Sequence, residues 1–207
     1  MTVRFILVAA AVAACNPVSR SSETPSAAAS DTMRLRFAPA NGVITINFGS
    51  LRDLTVRAPF TYVGGQRFIL GGTADAEQHL YVVDSAKVVK RLYWIQIEEV
   101  LPSSSHRYDY SSDSLVSLSG FPLRAHFRTY RAPPTPNSDQ ARAFNLIRAR
   151  GYTIPSGGTR VRLVHLPETP STREVMLVYF ESDPSAATDP HASLLARAAD
   201  GITLRSR

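Results

Sequence analysis

The tightest constraint on fold lies between His79 and Ile97, where two runs rich in β-branched and aromatic residues, HLYVV and VVKRLYWIQI, flank the tetrapeptide Asp84-Ser85-Ala86-Lys87. Apolar runs on either side of a short polar turn describe a β-hairpin. The second run could be fitted to a helix through Val88, Leu92 and Ile95, but its Val, Ile, Tyr and Trp content favours a long strand. The pattern recurs along the chain. Val43 to Phe48 alternates, and Phe60–Val63 and Gln66–Leu70 flank Gly64-Gly65, whose freedom at positive φ suits a tight two-residue hairpin, with Gly71-Gly72 ending the second run. Further strands are expected at His106–Tyr110, Ser114–Leu118, Leu123–Tyr130, Thr159–Leu166, Glu174–Glu181 and Ile202–Arg205.

Two segments read as helices, both late in the chain. Asn137 or Ser138 can cap a helix running to Arg150, with Ala143, Phe144 and Ile147 as its apolar stripe and Gly151 just past its end. Asp189-Pro190 opens a second, which carries Leu194, Leu195 and Ala198 inward and ends at Gly201. Many hairpin-connected strands with only two helices predict an α+β domain: a mainly antiparallel sheet with both helices packed on one face. A β-barrel or lipocalin-like cup with appended helices is the alternative.

Composition supports a packed core, because 44% of the 207 residues are hydrophobic and only 19% are charged. The single cysteine, Cys15, excludes disulfide scaffolds, thiolate zinc sites and iron–sulfur clusters. Its position is informative. Met-Thr-Val-Arg is followed by an unbroken apolar run from Phe5 to Ala14, the layout of an export signal, and ten apolar residues make a helix of only about 15 Å, too short to span a bilayer. Val12-Ala13-Ala14-Cys15 resembles the lipobox of bacterial lipoproteins. That resemblance covers residues 1 to 16 alone; it implies cleavage before Cys15, a diacylglyceryl thioether on its sulfur and a further acyl chain on its new amino group. Two or more acyl chains hold a protein firmly on a membrane. Asn16, rather than Asp, after the cysteine favours the outer membrane over the inner one in proteins of that class. Ala11-Val12-Ala13 also fits the cleavage site of an ordinary secretory signal.

Asn16 to Thr32, NPVSRSSETPSAAASDT, has too little apolar surface to order itself and reads as a spacer. The expected organisation is a signal peptide over 1–14, a flexible lipid-anchored tether over 15–32 and one domain over 33–207.

Local motifs for chemistry are absent: no Gly-x-Ser-x-Gly elbow, no His-Glu-x-x-His, no Walker A loop, no dinucleotide fingerprint and no calcium loop. Ser156-Gly157-Gly158 has the composition of a connection between a helix and a strand. The five histidines lack metal-ligand spacing, His165-Leu166-Pro167-Glu168 coming nearest, so neither a metal nor a cofactor is expected. Catalytic residues cannot be named from local pattern.

Two clusters are candidate ligand-binding groups. His106, Tyr108 and Tyr110 share one side of an extended segment, offering aromatic faces with polar tips, and Tyr93 and Trp94 could join them. Arg124, His126 and Arg128 share the polar face of their strand about 7 Å apart, a row that could meet an anion, with His126 also a conceivable base. Glu98, Glu99 and Asp109 are the carboxylates to inspect in any pocket. With 23 basic against 17 acidic residues, for a formal charge of +6, the expectation is a non-enzymatic binding or scaffolding module of the cell envelope. Its partners would be the membrane, through its lipid, and an anionic envelope component or an envelope protein. A small envelope enzyme acting on an anionic substrate is the alternative. Nucleic acid is not expected of an exported chain without an arginine-rich helix.

Overall fold

A computed structural model of the chain describes residues 33–130, 133–168, 170–182 and 190–206. The expected export signal, Cys15 and the expected spacer lie outside the described residues. The strands are β1 (Val43–Phe48), β2 (Leu51–Val56), β3 (Thr61–Leu70), β4 (Ala74–Ser85), β5 (Val88–Val100), β6 (Ser114–Leu118) and β7 (Phe121–Tyr130). Helix α1 (Asp139–Ala149) follows, then β8 (Gly158–His165), β9 (Arg173–Glu181), α2 (Pro190–Asp200) and β10 (Ile202–Ser206).

The strands form two sheets. β3-β4-β5-β9-β8-β7-β6 make a seven-stranded sheet and β1-β2-β10 a three-stranded one. All the strand pairings are antiparallel. The fold is therefore the expected α+β class, mostly antiparallel sheet with two helices in the C-terminal half, and the sheets do not close into a barrel.

β4 and β5 build the centre of the large sheet. Ser85 pairs with Val88, and the two residues between them, Ala86 and Lys87, both take positive φ of 50° and 64°. That conformation matches the right-handed twist of the flanking strands. Gly64-Gly65 behaves differently from the expected hairpin: β3 runs through it as one strand, with a register irregularity between Tyr62 and Gly64. A Cβ on Gly65 would stand 2.8 Å from the Gln78 carbonyl oxygen, so the glycine permits a close approach to β4 where no reversal occurs. The expected strand at His106–Tyr110 is a loop that touches the sheet through one bridge, Tyr108 to Ser171.

Alternation along β5 and β9 sends side chains to two cores. On one face Tyr93, Ile95, Ile97, Leu177 and Tyr179 pack against the inner side of the three-stranded sheet and against Leu194 and Ala198 of α2. On the other face Leu80, Leu92, Trp94, Val178 and Phe180 pack against Ala143, Phe144 and Ile147 of α1. The helices thus lie on opposite faces, where the sequence reading placed them together. Each helix has an apolar stripe that fits a sheet equally well, and only the route of the chain decides which face it reaches.

Ser156-Gly157-Gly158 also finds its reason in packing. A Cβ on Gly158 would lie 2.2 Å from the Glu181 carbonyl oxygen and 2.6 Å from the Phe180 ring. Glycine there lets β8 begin flush against β9.

Candidate functional site

The face of the large sheet that carries α1 is only partly covered. α1 lies over β3 and β4, and beside its first turn two adjoining cavities open over β5, β9, β8 and β7, with volumes of about 360 and 310 Å³. They share Asp139, Arg162 and Met176 as walls, and each falls within the size range of small-molecule sites.

The start of α1 is held by a ladder of side-chain amides across three strands. Gln66, Gln78 and Gln96 occupy paired positions on β3, β4 and β5. Gln66 donates to Gln78 at 2.7 Å, and Gln78 to Gln96 at 2.6 Å. Gln78 also donates to the Asp139 carbonyl, while Gln96 donates to the Asp139 carboxylate, both at 3.1 Å. Ser138 caps the helix by accepting from the Ala141 amide at 3.2 Å. Gln78 and Gln96 are fully buried and Gln66 half-buried; buried amides must find partners, so this ladder fixes where the first turn of α1 sits against the sheet.

The larger cavity is cationic. Arg128 on β7 and Arg160 on β8 are direct cross-strand partners, and His126 pairs with Arg162 one step along. Arg128, Arg160 and Arg162 line the cavity with Trp94, Met176 and Val178, while Ser138, Asp139 and Gln140 of the helix start close it. Arg162 is neutralised by Asp113 at 2.7 Å. Arg160 donates only to the neutral amide of Gln140 at 2.8 Å. Arg128 donates to His126 Nε2 at 2.9 Å. Neither of these two arginines has a carboxylate within ion-pair distance among the described residues. Burial and the neighbouring charges of Arg128 and Arg162 together hold the Arg160 guanidinium below its ordinary pKa.

The smaller cavity is lined by acids and phenols. Glu98 and Glu174 are opposite one another on β5 and β9 and are 3% and 2% exposed. Tyr108 donates to Glu98 and Tyr110 to Glu174, each at 2.7 Å, and Gln96 donates to the other oxygen of Glu98. Burial and the facing Glu98 charge push Glu174 up to about 8, and burial raises Glu98 against the hydrogen bonds from Tyr108 and Gln96. At neutral pH the pair therefore keeps a proton, giving the cavity a carboxylic acid beside a carboxylate. His106 lies edge-on to Tyr108 with ring centres 5.0 Å apart, and Arg162 sits over the Tyr110 ring at 4.8 Å.

Of the residues singled out in the sequence, Trp94 and Arg128 line the larger cavity and His106, Tyr108, Tyr110 and Glu98 the smaller. Arg124 and His126 stand on the same face but turn to Asp113: Arg124 donates to its carbonyl at 3.2 Å, and His126 Nδ1 meets its carboxylate at 3.1 Å. Because Nε2 of His126 accepts from Arg128, the ring proton sits on Nδ1 and the lone pair a base would use is engaged. Tyr93 is on the opposite face, 1% exposed, with its hydroxyl donating to the Ala198 carbonyl of α2. The one-residue offset from Trp94 is what separates them, since neighbours on a strand point to opposite faces. Glu99 meets Arg36 at 3.1 Å on that same far side, and Asp109 is exposed and binds the Ser111 amide.

Among the residues of the site that escaped the sequence reading are Asp139, Arg160, Arg162, Glu174 and Met176. For Arg160 and Arg162 a signal was present, since Thr-Arg-Val-Arg-Leu alternates as cleanly as the β7 segment. Glu174 opens an apolar strand, and nothing local marks it as buried. His165 is buried at 5% exposure, and burial lowers its pKa against the opposing effect of the Pro122 backbone. No group of three or more metal-ligating side chains occurs among the described residues. No helix among them is long and apolar enough to cross a membrane. No family model matches the chain, and neither a curated protein nor a solved structure matches it significantly.

Proposed function

We propose that this protein is an envelope lipoprotein whose domain is a binding module, anchored through Cys15, that takes an anionic component of the envelope into the groove beside α1. The observation that supports this reading is the Arg128–Arg160 pair: two guanidiniums facing each other across β7 and β8, crowded by a third, without a carboxylate partner among the described residues. Guanidinium groups so placed are complementary to the oxygens of a phosphate or carboxylate. The lipid anchor rests on the resemblance of residues 12–15 to a lipobox, with the outer membrane favoured. The test is titration of the purified full chain with polyphosphate, for wild type and for Arg128→Gln with Arg160→Gln. Saturable binding that weakens with salt and vanishes in the double variant is expected; equal binding by both proteins overturns the reading.

A second reading is favoured by Glu98 and Glu174. A protonated carboxyl beside an ionised one is an acid and a base in the same cavity, so an envelope enzyme acting on an anionic substrate is the alternative. Turnover of a chromogenic anionic ester or glycoside that Glu174→Gln abolishes, with the fold intact, is the result that would replace the first reading with this one.

A further inference from the structure

The two cavities adjoin, and their linings differ in kind. Within the larger, the arginine end offers charge, and Trp94, Met176 and Val178 give it an apolar floor. The smaller offers hydrogen-bonding groups closely spaced: the Glu98 and Glu174 carboxyls, the Tyr108 and Tyr110 hydroxyls and the His106 ring. Simple phosphate would use only the first. Glu98 already accepts from Tyr108 and Gln96, and Glu174 from Tyr110, but an acyl chain would take water from their remaining lone pairs and from the two phenol oxygens without offering a hydrogen bond in return. A ligand that fills both needs an anionic group at one end and several vicinal hydroxyls at the other. Carboxylates accept from such hydroxyls, a protonated carboxyl donates back to one, and aromatic faces pack against the C–H side of a sugar ring.

We infer that the ligand of this groove is an acidic saccharide, its phosphate or carboxylate seated between Arg128 and Arg160 and an attached sugar ring seated against Tyr108, Tyr110 and the Glu98–Glu174 pair. This rests on the anion-binding reading above and adds the chemistry of what the anion is attached to. Asp139 and Arg162, walls common to both cavities, bring a carboxylate and a guanidinium to the junction. Met176, the third common wall, gives it an apolar surface on which a ring can lie.

Isothermal titration of the full chain in non-ionic detergent separates the possibilities with four probes: inorganic phosphate, glucose 1-phosphate, glucose and 2-aminoethyl phosphate. Glucose 1-phosphate is expected to bind at least about tenfold more tightly than phosphate, the yield of one or two added hydrogen bonds to charged groups. Glu98→Gln should bring the affinity for glucose 1-phosphate down to that of the same variant for phosphate, and Tyr108→Phe serves the same purpose should the Glu98 variant fail to fold. Equal affinity for phosphate and glucose 1-phosphate overturns the saccharide and leaves the anion reading standing. Tighter binding of 2-aminoethyl phosphate also overturns it, because the second cavity would then be selecting a cation. Failure of all four probes to bind overturns both.

Discussion

Glu174 is expected to lower the stability of this domain as pH rises through neutrality, and Glu174→Gln should abolish its share of that fall. The folded protein holds this carboxyl at about 8, against an ordinary value of 4.5, because it is buried and faces Glu98. Between those values the folded state keeps a proton that the unfolded chain has released, so stability falls with rising pH, by on the order of 2 to 3 kcal/mol between about pH 5.5 and about pH 7.5. The sign is that of a raised carboxyl: its contribution is full below the unfolded value and lost as pH climbs through the folded one. His165 works the other way below its ordinary 6.5, since burial depresses it, but it does so equally in wild type and variant and cancels in the difference. Asp75 and Asp113 are held low and titrate below this window. Gln replaces Glu at nearly the same volume and can still accept from the Tyr110 hydroxyl, whose bond to Glu174 is 2.7 Å. Urea denaturation of both proteins at several pH values across the window is the assay. The wild-type curve should fall relative to the variant curve across the window, Glu98 being raised mainly by its own burial and so retained in both, and the variant gains stability over wild type as pH approaches 8. Parallel curves would mean that Glu174 is not protonated in the folded state and that the acid pair is not as described.

Other perturbations separate packing from site. Gly158→Ala should destabilise by about 3 kcal/mol or more, because its methyl has the Glu181 carbonyl and the Phe180 ring in its place; denaturant midpoints measure it. Tyr93→Phe should cost about 1 to 3 kcal/mol by leaving the buried Ala198 carbonyl without its donor, while ligand titrations stay unchanged, since Tyr93 faces away from the groove. Arg128→Ala should leave stability within about 0.5 kcal/mol, as its side chain is exposed, yet weaken polyphosphate binding in the same preparation. Cys15→Ser should release the protein from the membrane fraction, and the mass of its amino terminus should lack acyl chains.

Much of the architecture was legible because it is written in local rules. β-Branched and aromatic content marked β5, alternation marked β7, Ser138 and Gly151 marked the ends of α1, and the Leu194 and Ala198 stripe marked α2. What failed were decisions between locally equivalent outcomes. Gly64-Gly65 suits a hairpin or a continuous strand with a bulge, and the length of β4 opposite it settles the matter. A strand-like segment at His106–Tyr110 became a loop because no neighbouring strand offers it more than the bridge at Ser171. β2 went unread, since Leu-Arg-Asp-Leu-Thr-Val alternates only weakly and is held as a strand by its pairing with β1 and β10.

By itself the sequence determined the class of fold, the two helices and most of the strands, and a basic row on one strand. These follow from backbone preference and side-chain period, which act over a few residues. The tertiary structure decided which face each helix covers, and that Arg160 stands across from Arg128 and Glu174 across from Glu98, pairs separated by 32 and 76 positions in the chain. Strand order and register set those meetings, and both are products of the whole core packing at once.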